Sequence, residues 1–337
     1  MNRSIIYVGL DYHQKKVQVC AMDEKQNVLI NRGIENYWRT IAEAIAPLNG
    51  SVQAAIEVGC GAADLAEELV SKAGWSVDLA HPGYVARMKQ SPDKSDYTDS
   101  RLLADLERVG YVPKVWQAPH YIAELRSLVQ YRQVLVNERR NTKLRIRAVL
   151  RNQRVLSAPS NPWTLRWQQW LLEEAPLSTQ GRWIIGNLME QLEVTIKNVA
   201  EAEARLREYT REDPLVARLC EYNGIGLVTA CSLRASVGRF DRFRTGKQLA
   251  RFCGLSPKNA SSGQRQATAG LIGACDRQLR AILIEASHRL IRCDDYCRSH
   301  AERLLLKRKP RNVIVAATMN RWLRRLFHTM KPLGLSC

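Results

Sequence analysis

Short apolar runs and helix-like spacing alternate along the first 112 residues, and this alternation constrains the fold more than any other feature of the chain. Strands are predicted where β-branched residues cluster or alternate with polar ones, and helices where apolar residues recur every three or four positions. The predicted elements, in chain order, are strands over 4–10, 16–22 and 28–30, a helix over 36–48, a strand over 52–56, a helix over 62–73, a strand over 77–80 and a helix from Asp96. This order predicts an α/β domain.

Carboxylates occupy three places in that order. Asp11 follows the first strand and Glu57 follows the fourth, while Asp96 and Asp99 share one face of the last helix because they are three residues apart. The order of strands, helices and acids matches a ribonuclease-H-like fold. Ligands of α/β sheets gather at the carboxyl ends of strands, so the four acids are expected to converge. Taken singly, each acid has an ordinary explanation as a strand end, a solvated loop residue or a helix cap.

Convergent carboxylates predict a metal site. Four of them in one place repel each other unless a cation lies among them. Oxygen ligands select hard ions, so we predict Mg²⁺, with Mn²⁺ as the alternative. Two such ions can stabilise the attacking and leaving oxygens of a phosphodiester, which makes a nucleic-acid strand the expected substrate.

The charge of the chain points to the same class of partner. Lys and Arg number 51 against 33 Asp and Glu, which gives a formal net charge of +18. Such an excess indicates a polyanionic partner, nucleic acid before an anionic membrane. No apolar run approaches the roughly 20 residues of a spanning helix, and the N-terminus lacks the pattern of a signal peptide. We therefore expect a cytoplasmic protein that binds nucleic acid and no membrane.

Residues 113–212 are predicted to form a helical arm, and no strand is predicted beyond Val112. A helical pattern over 122–155 places a basic stripe beside an apolar one, and a heptad-like pattern over 180–211 predicts a second long helix in an antiparallel coiled coil. The stripe is expected to neutralise phosphates, although a solvated face is the plainer alternative. Its predicted nucleic-acid contacts are Arg132, Arg139, Arg140, Lys143, Arg147 and Arg151.

Residues 213–337 are predicted to form a third, mainly helical domain. Gly224 and Gly226 make a G-I-G turn before a helix, which resembles a helix-hairpin-helix motif whose bare amides bind a DNA phosphate. A polar stretch over 254–270 contains Ser261, Ser262 and Arg265. Composition alone predicts a flexible loop there, because no His follows within short reach to act as the base for a serine nucleophile.

Five short motifs, spread in a fixed order over nearly the whole chain, carry a resemblance to a known family. They are GLDYHQKKV, IEVGCG, DKSDYTDSRLLA, NGIGLVTA and ARFCGLSPKNASSG. Together they resemble the DEDD transposases of the "one-ten" and "eleven-eleven" insertion-sequence group, to which the Piv-type DNA invertases also belong. Departures are small: Lys94 is followed by Ser95 where Thr is common, and Glu57 by Val-Gly-Cys where Ala-Thr-Gly is common.

The resemblance implies specific roles. A RuvC-like domain over 1–112 would bind Mg²⁺ through Asp11, Glu57, Asp96 and Asp99, and a C-terminal transposase domain would supply a serine nucleophile. By the motif that residue is Ser262, with Ser261 as the adjacent fallback, and Lys94 and Arg265 join the expected nucleic-acid contacts. The family pattern further implies an element-encoded bridge RNA that pairs with donor and target DNA. It also implies a dimer to tetramer whose metal and serine come from different protomers, acting at the bacterial nucleoid.

Three hypotheses follow for the activity. The leading one is an RNA-guided DNA recombinase that works through a phosphoserine intermediate. The nearest alternative is a RuvC-like junction nuclease in which two metals activate water and Ser262 is only structural. The third is a non-catalytic nucleic-acid-binding scaffold with vestigial carboxylates.

Overall fold

The structure, a computed structural model, describes residues 4–88, 95–155, 157–259 and 268–332. The chain divides into two compact units, Met1–Gln117 and Ala118–Cys337, which we treat separately. The finer division into three domains, with an arm over 113–212, stays a prediction. Four predicted site residues, Lys94, Ser261, Ser262 and Arg265, lie outside the described residues.

The N-terminal unit is a mixed five-stranded sheet with helices. Strand order is β3-β2-β1-β4-β5, with β1, β2 and β3 antiparallel and β1, β4 and β5 parallel. The elements are β1 (Ile5–Tyr12), β2 (Lys16–Met22), β3 (Val28–Glu35), α1 (Trp38–Ile45) with a 3-10 turn (Ala46–Leu48), β4 (Ser51–Glu57), α2 (Ala62–Ala73), β5 (Ser76–Ala80), α3 (Pro82–Met88) and α4 (Asp96–Arg108). The predicted α/β character is confirmed, while the RuvC-like assignment stays a prediction.

Each face of this sheet packs against different helices. Val8 and Leu10 of β1 share a core with Ile41 of α1 and Leu69 of α2. On the opposite face, a Cβ atom placed on Gly9 would overlap the backbone of Ser100 in α4. Helix α4 therefore crosses β1 at backbone contact, and only glycine fits at this crossing.

Several element boundaries differ from the predicted ones. β1 and β4 run through Asp11 and Glu57 instead of ending before them, because strand pairing continues to the registers Tyr12↔Val17 and Glu57↔Ala80. β3 continues to Glu35, since pairing with β2 carries it through a polar stretch that has no alternation of its own. Helix α3 (Pro82–Met88) lies between the predicted strand over 77–80 and the predicted helix from Asp96, in a segment for which no element is predicted.

The C-terminal unit is mainly helical. Its elements are α5 (His120–Asn152), α6 (Leu165–Glu173), α7 (Thr179–Tyr209), α8 (Pro214–Cys220), α9 (Leu227–Val237), a 3-10 turn (Phe240–Arg242), α10 (Gly246–Phe252), β6 (Pro257–Asn259), β7 (Thr268–Leu271), α11 (Arg277–Cys293), α12 (Asp295–Leu306) and α13 (Arg311–Met330). The expectation that no strand follows Val112 is wrong, because β6 and β7 pair antiparallel. Strands of three and four residues are too short for a periodic sequence signal.

Helices α5 and α7 run antiparallel along each other. Leu125 near the start of α5 shares the main core of this unit with Leu206 near the end of α7. Ile146 and Ile185, at the other ends of the two helices, belong to a smaller separate core completed by Trp167 and Leu171 of α6. In the part of the chain that the structure describes, no helix combines the length and apolarity needed to span a membrane.

Candidate active site

Asp11 lies on the face of the sheet that α4 covers. Side chains alternate between the two faces of a strand, so Asp11 shares the face of Gly9 and not that of Leu10. Gly9 is the residue that α4 crosses, which places Asp11 two residues further along the same face. The Asp11 side chain is 18% exposed, so its carboxyl group lies at the edge of the packed region.

Glu57 lies on that same face in the neighbouring strand. Ala55 of β4 packs with Leu103 of α4, and Glu57 follows Ala55 by two residues. β1 and β4 are parallel with Leu10 opposite Ile56. Asp11 and Glu57 are the next residues of the two strands, so they lie side by side at the carboxyl ends of adjacent strands. The predicted convergence of these two strand ends therefore has a structural basis in the register.

The first turn of α4 supplies the other two acids. Asp96 begins the helix with a side chain that is 55% exposed, and Asp99 is only 8% exposed. Carboxylates in a first turn are favoured by the helix dipole, which is the ordinary structural role for such residues. Asp99 is largely covered within the N-terminal unit, whereas Asp96 stays accessible at the helix start.

The side-chain ligand atoms of Asp11, His13 and Asp96 come together at this edge. All three lie within 4.8 Å of one another, and His13 Nε2 is 3.3 Å from an oxygen of each carboxylate. Within the described residues, Glu57 and Asp99 lie outside this tight group of ligand atoms. His13 is not among the residues predicted for the site. The only feature of the sequence that could have indicated it is its position two residues after Asp11, at the end of a predicted strand.

The electrostatics of the group favour a cation. Burial raises the pKa of Asp11, the nearby His13 lowers it, and the negative charges of Asp96 and Asp99 raise it again. Asp99 is thus close enough to repel Asp11 although it is outside the tight group. Carboxylate oxygens suit a hard divalent cation such as Mg²⁺ or Mn²⁺, so the oxygens of Asp11 and Asp96 fit an ion of that class.

Comparison with known proteins agrees with the geometry. A family model of IS110-type DEDD transposases, described as "Transposase", matches residues 8–153, which contain all four predicted acids. A second model, described as "Transposase IS116/IS110/IS902 family", matches residues 216–302. The chain belongs to the IS110/IS116/IS902 family of transposases. Membership of this family implies cleavage and rejoining of DNA and suggests dependence on a divalent metal.

Individual transposases align with this chain over most of their length. A "Probable family 20 transposase" of Pseudomonas aeruginosa is 28% identical and covers 93% of this chain and 93% of its own. The transposase for insertion sequence element IS1111A of Coxiella burnetii is 24% identical over 86% of this chain and 79% of its own. The transposase for IS1328 of Yersinia enterocolitica is 21% identical over 84% of this chain and 83% of its own.

The basic residues of α5 in this transposase fall into two groups. Arg132 donates from Nε to Glu203 of α7 at 2.8 Å, and its side chain is only 16% exposed. This ion pair joins α5 to α7, and it leaves little of the Arg132 guanidinium accessible to a phosphate. We therefore do not expect Arg132 to contact nucleic acid. The remaining predicted residues of the stripe form no salt bridge within the described part of the chain, and they are Arg139, Arg140, Lys143, Arg147 and Arg151.

An aromatic side chain holds part of this stripe in place. Lys143 Nζ lies 4.6 Å and Arg147 Cζ lies 5.6 Å from the ring centroid of Trp163. Burial lowers the pKa of Lys143, and the charges of Arg139 and Arg147 lower it further. These cations repel one another, so an anion from outside the chain would be stabilised here.

Gly224 and Gly226 precede α9 as the G-I-G pattern predicted. Gly224 has a φ of +96°, and a Cβ there would lie 3.1 Å from the backbone nitrogen of Leu290. Its carbonyl accepts a hydrogen bond from Arg289 Nε at 3.1 Å, so packing against α11 accounts for this glycine. Gly226 caps α9 without a side-chain bond. Phosphate binding at this turn stays a prediction.

The predicted serine loop falls between two described strands. Pro257 of β6 pairs with Leu271 of β7, and Asn259 pairs with Thr268. Ser261, Ser262 and Arg265 belong to residues 260–267 between these strands, outside the described residues, and their assigned roles therefore stay predictions.

Proposed function

We propose that this transposase is an RNA-guided DNA recombinase that cleaves and rejoins DNA through a phosphoserine intermediate at Ser262. The observation that carries the proposal is that the carboxyl ends of β1 and β4 lie next to the first turn of α4 in the N-terminal unit. There Asp11 and Asp96 lie together around His13, with Glu57 at the next strand end and Asp99 near enough to repel Asp11.

Asp11, Glu57, Asp96 and Asp99 would hold Mg²⁺, with Mn²⁺ as a substitute. When bound, the metal supplies positive charge to the phosphodiester oxygens that gain negative charge during cleavage. The role of the protein is to hold acids from two strands and one helix at a fixed spacing. His13, 3.3 Å from both Asp11 and Asp96, orients these carboxylates.

The serine step balances without an external energy source. Ser262 Oγ attacks the phosphorus, a phosphoserine ester forms, and the bond to the leaving DNA oxygen breaks. The proton lost by the serine is balanced by the proton gained by the leaving hydroxyl. Attack by a hydroxyl of the other DNA strand reverses these bonds and restores the serine, because the ester conserves the energy of the phosphodiester. In the proposed dimer to tetramer, serine and carboxylates come from different protomers.

A guide RNA is proposed on the basis of charge and family resemblance. A net charge of +18 remains after every Asp and Glu is counted against a Lys or Arg, and the stripe of α5 carries cations without carboxylate partners in the described residues. Sequencing the RNA that co-purifies with the protein from its host tests this part. Enrichment of RNA transcribed from the element itself is the expected result, and a mixture of unrelated cellular RNA would contradict it.

Trapping the covalent intermediate tests the chemistry. The protein is incubated with labelled element-end DNA, co-purified RNA and Mg²⁺, then denatured and separated by size. A protein–DNA adduct is expected for the native protein and for the neighbouring control Ser261→Ala, and no adduct for Ser262→Ala. Cleavage to free DNA ends by Ser262→Ala would instead support the junction nuclease, and an adduct retained in that variant would refute the serine assignment.

A further inference from the structure

The turn between α12 and α13 presents two large apolar side chains to solvent. Leu305 is 65% exposed and Leu306 is 84% exposed. The packed face of α12 contains Cys297 and Ala301, both buried in this unit. Leu306 follows Cys297 by nine residues, which at 100° per residue is about half a revolution and places it on the opposite side of the helix. Neither leucine therefore contributes its full burial to the described core.

This turn is held by backbone hydrogen bonds. The Arg308 N–H donates to the Leu305 carbonyl at 2.8 Å, and the Lys309 N–H donates to the Leu304 carbonyl at 3.1 Å. Arg308 adopts a φ of +53°, the left-handed conformation that ends a helix in this way. The two leucines thus project from an ordered helix end, so little conformational entropy would be lost if they entered a partner.

Cations surround the leucines in the sequence. The segment 303–311 reads RLLLKRKPR and contains no acid, although Glu302 precedes it. Among the described residues no carboxylate pairs with its five cations, which are Arg303, Lys307, Arg308, Lys309 and Arg311. Cations at the end of α12 do complement the helix dipole. That role explains neither the number of charges nor the exposure of two leucines.

We propose that this turn is a wedge for duplex DNA. Leu305 and Leu306 enter a base step from the minor groove, and the cations on both sides bind the flanking phosphates. Proteins that bend DNA use apolar wedges of this kind, recovering the cost of unstacking through additional backbone contacts. The inference rests on the DNA-directed activity proposed above, but not on the serine, metal or guide RNA.

Duplex DNA is favoured as the occupant by the arrangement of charges. Arg303 precedes the leucines in the sequence and three consecutive cations follow them, so cations flank the apolar tip along the chain. The Arg303 guanidinium donates to the Ser299 carbonyl one turn back in α12, so the three cations after the leucines supply most of the charge next to them. A minor groove has the complementary arrangement, because its sugars and base edges lie between two negatively charged phosphate chains and an apolar side chain can pass between two stacked base pairs there. A wedge makes no base-specific hydrogen bonds and needs only a step that kinks easily, which mixed-sequence DNA contains, so the interaction should appear with such DNA.

The test uses the full-length protein and a mixed-sequence duplex that carries 2-aminopurine in place of adenine. Unstacking of bases raises the fluorescence of 2-aminopurine. The native protein should produce this rise, and the double variant Leu305→Ala/Leu306→Ala should abolish it, with roughly tenfold weaker binding at an unchanged salt slope. The matched control is Leu165→Ala at the start of α6, where the leucine is 85% exposed, and it should retain both properties.

Two further variants keep the proposal falsifiable. Leu306→Lys adds a charge, so it should still bind DNA strongly while losing the fluorescence rise. Lys307→Ala/Lys309→Ala should keep the rise at saturation and lower the salt slope by about two. An unchanged rise and affinity in the double leucine variant would overturn the proposal. Two other results for the double leucine variant, each with DNA binding intact, would also overturn the proposal. A lower mass by light scattering would show that the leucines mediate self-assembly. A loss of binding to phosphatidylglycerol vesicles would show that they bind a membrane surface.

Discussion

Two acids, Asp213 in the C-terminal unit and Asp11 in the N-terminal unit, differ in the groups that face them. Asp213 in the C-terminal unit has a side chain that is 2% exposed, and it accepts a hydrogen bond from Arg234 Nε at 2.7 Å. Its other oxygen accepts from the backbone N–H groups of Leu215 and Val216 at the start of α8. Asp11 in the N-terminal unit faces Asp96 and the imidazole of His13 instead.

The difference separates a structural acid from a candidate ligand. A carboxylate with a guanidinium and two amides has its charge and lone pairs satisfied within the chain. Carboxylates that face each other store repulsion, which a divalent cation would relieve. The same residue type therefore supports folding in one unit and is available for chemistry in the other.

The largest expected effect is the loss of transposition when Asp11, which faces Asp96, is replaced. Asp11→Asn should reduce transposition by about a thousandfold or more, as expected for a group on which the mechanism depends. In the absence of divalent cations the same variant should be at least as stable as the native protein, because repulsion with Asp96 is lost. Excision assays in cells and urea unfolding in chelator measure the two quantities. Retained transposition would support the scaffold hypothesis.

The opposite outcome is expected at the satisfied acid. Asp213→Ala leaves the buried Arg234 without its carboxylate and should lower the free energy of unfolding by about 3–5 kcal/mol. Urea unfolding of the two variants side by side checks the comparison. If Asp213→Ala and Asp11→Asn changed stability equally, the distinction between the two acids would fail.

The cations of α5 can be compared in the same way as the two acids. Arg132 is paired within the chain, whereas Arg140 and Arg147 have no carboxylate partner in the described residues. Arg140→Ala and Arg147→Ala should each lower the salt slope of nucleic-acid binding by about one, because each loses one phosphate contact. Arg132→Ala should leave the slope unchanged and reduce stability, since Arg132 pairs with Glu203. Binding titrations at several salt concentrations distinguish the two groups. A reduced slope for Arg132→Ala would restore it to the interface.

The smallest effect concerns a carboxyl pair at the other end of α4. Burial raises the pKa of Glu107 to about 7, with a further contribution from the charge of Asp78, while Lys114 lowers it. The folded state therefore holds a proton that the unfolded state releases, and stability falls as pH rises from the ordinary value of 4.5 through 7.

Glu107→Gln removes this titration. The variant should be more stable than the native protein at pH 8 by about 1 kcal/mol or less, because the group is partly exposed and solvent screens the interaction. The difference should disappear below pH 4.5. Urea unfolding at several pH values measures it, with the exposed Glu67→Gln as a control that should show no such trend.

Local signals predicted several elements closely. α2 was predicted over 62–73 and is observed at Ala62–Ala73, because Gly61 and Gly74 both adopt left-handed conformations at its ends. The predicted bounds of β2 are likewise the observed ones, since Val17 and Val19 alternate with polar neighbours and an apolar run follows to Met22. The β6 and β7 strands were not predicted, because mutual pairing defines them and neither has a pattern of its own.

From residue type, spacing and periodicity, the amino-acid sequence predicts four acids for the candidate site, and it establishes the α/β character of the first unit and the excess of positive charge. Residue type, spacing and periodicity are local properties. Only the tertiary structure decided that His13 lies between Asp11 and Asp96, that Arg132 is held by Glu203, and that two leucines remain outside the core. Those outcomes depend on which side chains from distant parts of the chain meet, and no local pattern carries that information.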